Sequence, residues 1–303
     1  MPDRPDDRPD AHDPRGADDD VGERREIRRR FAAEARAERP DLALLCLLIA
    51  AEADPSLGER GIDAVQIELD RLAGELPYAP GGGAAGWARA VGGLLGGRYG
   101  FGGSREDFGA LESSLLPEVL LRRRGLPILL SVVWIEVARR AGAPVYGVAL
   151  PGHFVVGFGE PGGTGPDGLV LADPFDGGRL LSTADTELLL SEAAGEPLSL
   201  TPSLLSPAAP LDIVRRVLGN IRAWAAARPE RGDVRLWAVE LSLLLPHHPA
   251  RLRREHGHLL VARGDFLSGA AELETYAEVA EAVDPGEARE VRQQARAARA
   301  MLN

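Results

Sequence analysis

RRRGLPILLSVVWIEVARRAGAPVYGVALPGHFVVGF, residues 122–158, is the stretch on which the fold turns. Arg122, Arg123 and Arg124 end a helix over Leu115–Arg124, and Gly125 stands just past that end, where a left-handed cap suits glycine. Pro127 fits the first turn of a second helix, which runs from Ile128 to Arg140 and is stopped by Gly142 and Pro144. This helix is apolar nearly all round from Ile128 to Val137, so it is expected at the centre of a core. Val145–Leu150 and His153–Phe158 read as strands. A third, Leu169–Ala172, follows across the Gly/Pro-rich loop Gly159–Gly168. A buried helix followed by three strands, predicted antiparallel, places the chain in the α+β class.

Working outward toward the N-terminus, the pattern is helical: Ile27 and Phe31 in an Arg/Glu-rich stretch, the apolar run Leu42–Ala51, then Ile62, Val65, Leu69 and Leu72 at three- and four-residue steps. Residues 1–20 hold eight Asp, three Arg and four Pro and almost nothing apolar, which predicts a disordered acidic tail. Between Gly81 and Gly109 twelve glycines surround Trp87, Val91, Leu94 and Leu95, a weak helix in a mobile region. Toward the C-terminus a helix is expected over Thr183–Ala194, then the Pro/Ser-rich linker Thr201–Pro210, then helix alone. There Gly232-Asp233 and Gly264-Asp265 lie 32 residues apart, and each precedes an apolar helix closed by His248-Pro249 or Asp284-Pro285. Helical hairpins of this length look like tetratricopeptide repeats packed on the rest of the chain. The organisation predicted is a tail over 1–20, an α+β domain over 21–205 and a tetratricopeptide-like helical region over 211–303.

Composition removes several function classes. The 303 residues carry 35 basic and 46 acidic side chains, a formal net charge of −11, which argues against nucleic acid as a partner. Every basic residue is arginine. With no lysine there is no Schiff-base chemistry and no P-loop. The single Cys46 excludes a disulfide framework and cysteine-rich metal sites, and no apolar run approaches a membrane span. A cytoplasmic chain with no cofactor and no metal is expected.

Three polar residues punctuate the helix and strands: Ser131 in the first turns of the buried helix, His153 opening the second strand and Asp173 closing the third. The layout resembles the papain and transglutaminase-like arrangement, a nucleophile near a helix N-terminus served by a histidine on one strand and oriented by an acid on the next. The strings Arg123–Ser131, Pro151–Val156 and Asp173–Ser182 resemble the bacterial SirB-one family, which joins a transglutaminase-like domain to tetratricopeptide repeats. That resemblance spans roughly residues 21–303 and implies a transglutaminase-like, papain-like core of one helix on a small antiparallel sheet. It also implies a cysteine nucleophile two residues after the glycine, a position held here by Pro127. The family's asparagine ahead of the first helix is replaced by Ser113 or Ser114.

Each candidate also has a plain reading. His153 fits a hydrogen-bonded core residue, Asp173 a turn former before Pro174, and Ser131 a serine bonding backbone. Cys46 reads as packing. His247, His248, His256 and His258 read as surface residues whose spacings do not converge on a metal. Two functions compete. One is a degenerate, non-catalytic transglutaminase-like protein whose helical hairpins bind a protein partner, with an unidentified small-molecule or peptide ligand of the cleft. The other is a hydrolase or acyltransferase with a Ser131–His153–Asp173 triad. The first is favoured, because a serine hydroxyl needs a better-aligned base than a thiol and no oxyanion hole is evident.

Overall fold

The computed structural model describes residues 14–77, 82–163 and 168–302, with side chains from Gly22 onward. Helices α1 (Pro14–Glu34), α2 (Leu42–Ala53) and α3 (Gly58–Gly74) build the N-terminal side. Residues 14–20 are therefore helical rather than tail, since extending a helix nucleated downstream adds one backbone bond per residue; residues 1–13 lie outside the described residues. Helix α2 starts on Asp41, whose side chain accepts from the Leu44 N–H at 2.9 Å, and is buried along nearly its whole length. The buried Glu52 on it accepts from Arg28 of α1 at 2.6 Å.

The glycine-rich segment is not a loose connector. It forms α4 (Gly83–Gly92), a π-turn over 93–98, and 3-10 turns over Arg105–Gly109 and Leu111–Ser114. A Cβ on Gly96 would lie 1.8 Å from the Gly177 carbonyl oxygen, and one on Gly103 would lie 1.9 Å from the Phe175 ring. Glycine lets this backbone touch the turn that follows Asp173.

Helix α5 (Leu116–Arg122) ends with Arg123 at φ 57°, so the left-handed cap is Arg123 and not the expected Gly125. Arg123 stacks its guanidinium 5.3 Å from the Tyr99 ring and donates to the Tyr99 carbonyl at 3.1 Å, which helps offset that strain. Gly125 is required by space instead: a Cβ there would meet Val119 Cγ2 at 2.6 Å.

Helix α6 (Pro127–Arg140) is buried at every residue from Pro127 to Ala138, as its apolar pattern predicts. The sheet on which it packs has four antiparallel strands in the order β1 (Val145–Leu150), β2 (His153–Phe158), β3 (Val170–Asp173) and β4 (Arg179–Leu181). The third strand is displaced by one residue from the expected span. Strand β4 was not foreseen, because three residues are too short to show an alternation. Phe154, Val156, Phe158 and Ala172 join the core around α6, while Val148, Leu150, Val155 and Leu171 join Leu190 of α7 (Thr183–Ala194) on the other face. The linker after α7 is pinned to the sheet edge, with the Ala208 N–H donating to the Gly147 carbonyl at 2.8 Å.

From residue 210 the chain is helical: α8 (Pro210–Ala226), α9 (Gly232–Leu244), α10 (Arg251–Ala262), α11 (Phe266–Ala280) and α12 (Pro285–Ala300). The two Gly-Asp pairs play different parts. Gly264 is left-handed ahead of the Asp265 cap, whereas Gly232 is the first residue of α9. Arg28 bridges from Glu52 to Glu240 of α9 at 2.7 Å, tying the helical region to the N-terminal helices. No helix among the described residues is long and apolar enough to cross a membrane.

Gly96→Ala is expected to destabilise the chain by about 1–3 kcal/mol, because the added methyl meets backbone that cannot move without displacing the turn. Gly86→Ala, where a Cβ meets nothing within 4 Å, is expected to be neutral or stabilising by up to about 1 kcal/mol. Urea unfolding of both variants checks the pair, and equal effects would contradict the packing described.

Candidate functional site

Strands β1 and β2 are joined at Pro151-Gly152, where Gly152 takes φ 69° and Leu150 pairs with His153. That turn sets His153 at the mouth of the sheet. At the same end β3 runs into Pro174-Phe175-Asp176, a 3-10 turn whose N-cap is Asp173. Asp173 Oδ1 accepts from the Phe175 N–H at 2.9 Å, and Oδ2 stands 2.9 Å from His153 Nε2. The carboxylate is thus both a turn former and the histidine's partner. His153 has 14% and Asp173 5% of its side chain exposed. The Phe175 ring meets the imidazole edge to face at 6.1 Å and meets Phe108, itself half exposed, at 5.9 Å.

The imidazole is oriented through Nε2, and no described residue hydrogen-bonds Nδ1. Pro127 is the first residue of α6. Ser131, one turn further, is fully buried, and its hydroxyl donates to the Phe154 carbonyl at 3.3 Å. The structure therefore brings His153 and Asp173 together and directs Ser131 to backbone. Ser113 and Ser114 are both buried just ahead of α5; the Ser113 hydroxyl has no partner among the described residues, while its carbonyl accepts from the Leu126 N–H at 3.0 Å. Cavities of about 200–350 Å³ open elsewhere on the surface, with neither His153 nor Asp173 among their lining residues.

Arg216 was not singled out from the sequence. It reaches from α8 to donate to the carbonyls of Leu150 at 3.1 Å and His153 at 2.8 Å, with its guanidinium 5.5 Å from the Phe154 ring. It clamps the hairpin that carries His153. Burial pulls its pKa below the ordinary value, and no carboxylate among the described residues pairs with it. The signal was its place beside the apolar stripe Ile213, Val214, Val217, Leu218 and Ile221.

The remaining candidates lie apart. Burial drives the Cys46 thiol well above its ordinary pKa, which makes it inert. His248 faces the Leu245 carbonyl at 3.0 Å, and His258 faces Gln294 at 2.9 Å. His256 is not a surface residue: both its ring nitrogens are buried, each 3.6 Å from a carboxylate, Glu240 and Glu272. No grouping among the described residues could hold a metal ion.

Removing one member of the His153–Asp173 pair leaves a buried polar group unsatisfied. His153→Ala and Asp173→Ala are each expected to cost about 1–3 kcal/mol. The double variant should cost less than the sum by at least about 0.5 kcal/mol. A double-mutant cycle read by denaturant unfolding checks this, and strictly additive effects would mean that the two side chains do not interact.

Comparison with known proteins agrees with the fold. Residues 63–219 match the transglutaminase-like superfamily and residues 221–303 match the tetratricopeptide repeat. A relative called UPF0162 protein from Xylella fastidiosa is 33% identical over 178 residues, covering 56% of this chain and 62% of that protein. A protein of the same name from Pseudomonas aeruginosa is 37% identical over 119 residues, covering 39% and 41%. Human F-box only protein 21 is 25% identical over 160 residues, covering 50% of this chain and 24% of that protein. The chain thus spans less than two thirds of the length of each of these relatives. With the superfamily match extending over more than half its length, this chain belongs to the transglutaminase-like superfamily and carries tetratricopeptide repeats behind that domain.

Proposed function

We propose that this is a non-catalytic transglutaminase-like protein of the SirB-one type, a cytoplasmic binding or scaffold protein whose helical repeats engage a protein partner. One observation carries the reading: an oriented histidine–carboxylate pair with no side-chain nucleophile among the described residues hydrogen-bonded to the other ring nitrogen. In the register of the family, the nucleophile's place falls on Pro127, whose ring has nothing to ionise and whose fixed φ suits the first helical position. Ser131 is a poor substitute, since its hydroxyl is fully buried and spent on the Phe154 carbonyl. To attack a substrate it would have to give up that bond and reach solvent through the packed first turns of α6. The pair then serves as a latch that joins β2 to the turn after β3, with the Phe175 and Phe108 rings packed beside it.

The test is chemical. Purified protein is expected to show no amidase or transamidase turnover above background. A thiol-directed probe should label Cys46 only under denaturing conditions. Covalent trapping of Ser131 by a serine-directed probe, lost in His153→Ala, would overturn the reading and establish a triad hydrolase in its place.

A further inference from the structure

In a chain of net charge −11, one cavity is lined by the opposite sign. It measures about 530 Å³, lies along α9 and α10, and has Arg235, Arg251, Arg254, Glu255 and His258 in its wall. Charges there are unevenly matched. Glu255 alone accepts from two arginines, Arg222 of α8 at 2.5 Å and Arg235 of α9 at 2.8 Å. Arg254 pairs with Glu287 of α12 at 2.7 Å. Arg251 is exposed and has no carboxylate among the described residues. The wall itself thus sets three arginines, Arg235, Arg251 and Arg254, against one carboxylate, Glu255, while Arg222 and Glu287 reach these residues from outside it. His258 adds a ring held by Gln294, which in turn donates to Glu290 at 3.2 Å, an acid outside the cavity wall.

We infer that this groove takes a carboxylate-rich segment of a protein partner; the inference rests on the binding role proposed above and gives that partner a chemistry. Guanidinium forks match carboxylates two bonds at a time, and an incoming carboxylate would answer Arg251 and relieve the double duty of Glu255. Leu259 and Ala262 supply apolar floor between the charges for an intervening side chain.

The experiment is fluorescence anisotropy on the full chain with fluorescein-labelled hexaglutamate as probe, beside hexaglutamine and a six-nucleotide oligothymidylate. Saturable binding of hexaglutamate that weakens with added salt is expected, with none for hexaglutamine. Arg251→Glu, at an exposed side chain whose loss leaves no buried group behind, should weaken binding by about fivefold or more. Arg263→Glu, exposed at the opposite end of α10 and outside the cavity wall, should change it little. Binding unchanged by Arg251→Glu, binding of hexaglutamine equal to hexaglutamate, or tighter binding of the oligothymidylate would each overturn the inference. So would a loss of hexaglutamate binding in His153→Ala alone, which would move the ligand to the cleft. None of these outcomes touches the proposal of a non-catalytic domain, which is read from turnover and probe labelling.

Discussion

Helix α6 has no face to give to water. Every residue from Pro127 to Ala138 is buried, so the helix is stable only if something covers it on all sides, and the chain's topology supplies that cover. The apolar face of the sheet takes one flank through Phe154, Val156 and Phe158; α2, α3, α4, α5 and α8 close the others. Of the polar groups swallowed in the process two are answered locally, while the Trp134 indole N–H has no acceptor among the described residues. Ser131 bonds a strand carbonyl, and Glu136 is held by Arg139 and Arg140 one turn on. Surrounded in this way, the start of α6 is fixed relative to β2 and the turn after β3, and that fixity places Pro127, His153 and Asp173 on one frame.

What was legible in the sequence follows from the same burial. A helix apolar all round and strands of six residues carry strong local patterns, so α6, β1, β2 and α7 were readable with their ends, and His153 and Asp173 were readable as the polar residues that interrupt them. Features set by contacts distant in sequence were not. Glycine density between 81 and 109 suggested looseness, yet Gly96 and Gly103 are there because another backbone lies against them, and nothing local to the segment announces that. Arg123 takes the left-handed cap because Tyr99 receives its side chain, while Gly125 is occupied with making room for Val119. Strand β4 exists because β3 offers it an edge; its three residues carry no period of their own. Arg216 acts on the site from a helix more than sixty residues away in sequence.

The two family matches meet at residues 219 and 221, inside α8 rather than in a linker. The Pro/Ser-rich stretch expected to separate the domains is instead tied to the edge of the sheet through Ala208 and Gly147. The chain therefore has no hinge where its two halves join. One continuous helix of 17 residues, about 25 Å long, belongs to both. Its first half buries Ile213, Val214, Val217 and Leu218 in the core of the transglutaminase-like domain and sends Arg216 to the hairpin that carries His153. Its second half sends Arg222 to Glu255 in the wall of the basic groove.

A shared rigid element changes how the repeats can be understood. Five helices after residue 210 amount to fewer than three full helical hairpins, too few to close a solenoid core with ease, and the buried cluster on α11 and α12 is small and alanine-rich. The transglutaminase-like domain makes up the deficit. It covers one end of the array through α1 and α2, where Arg28 spans from the fully buried Glu52 to Glu240 of α9. Replacing Arg28 would take the shorter ion-pair partner from the fully buried Glu52 and release Glu240 at the same time, the costly way to lose a buried ion pair. The transglutaminase-like domain is thereby also the cap that holds the helical array in shape, a structural duty that its core and the His153–Asp173 hydrogen bond serve independently of any chemistry.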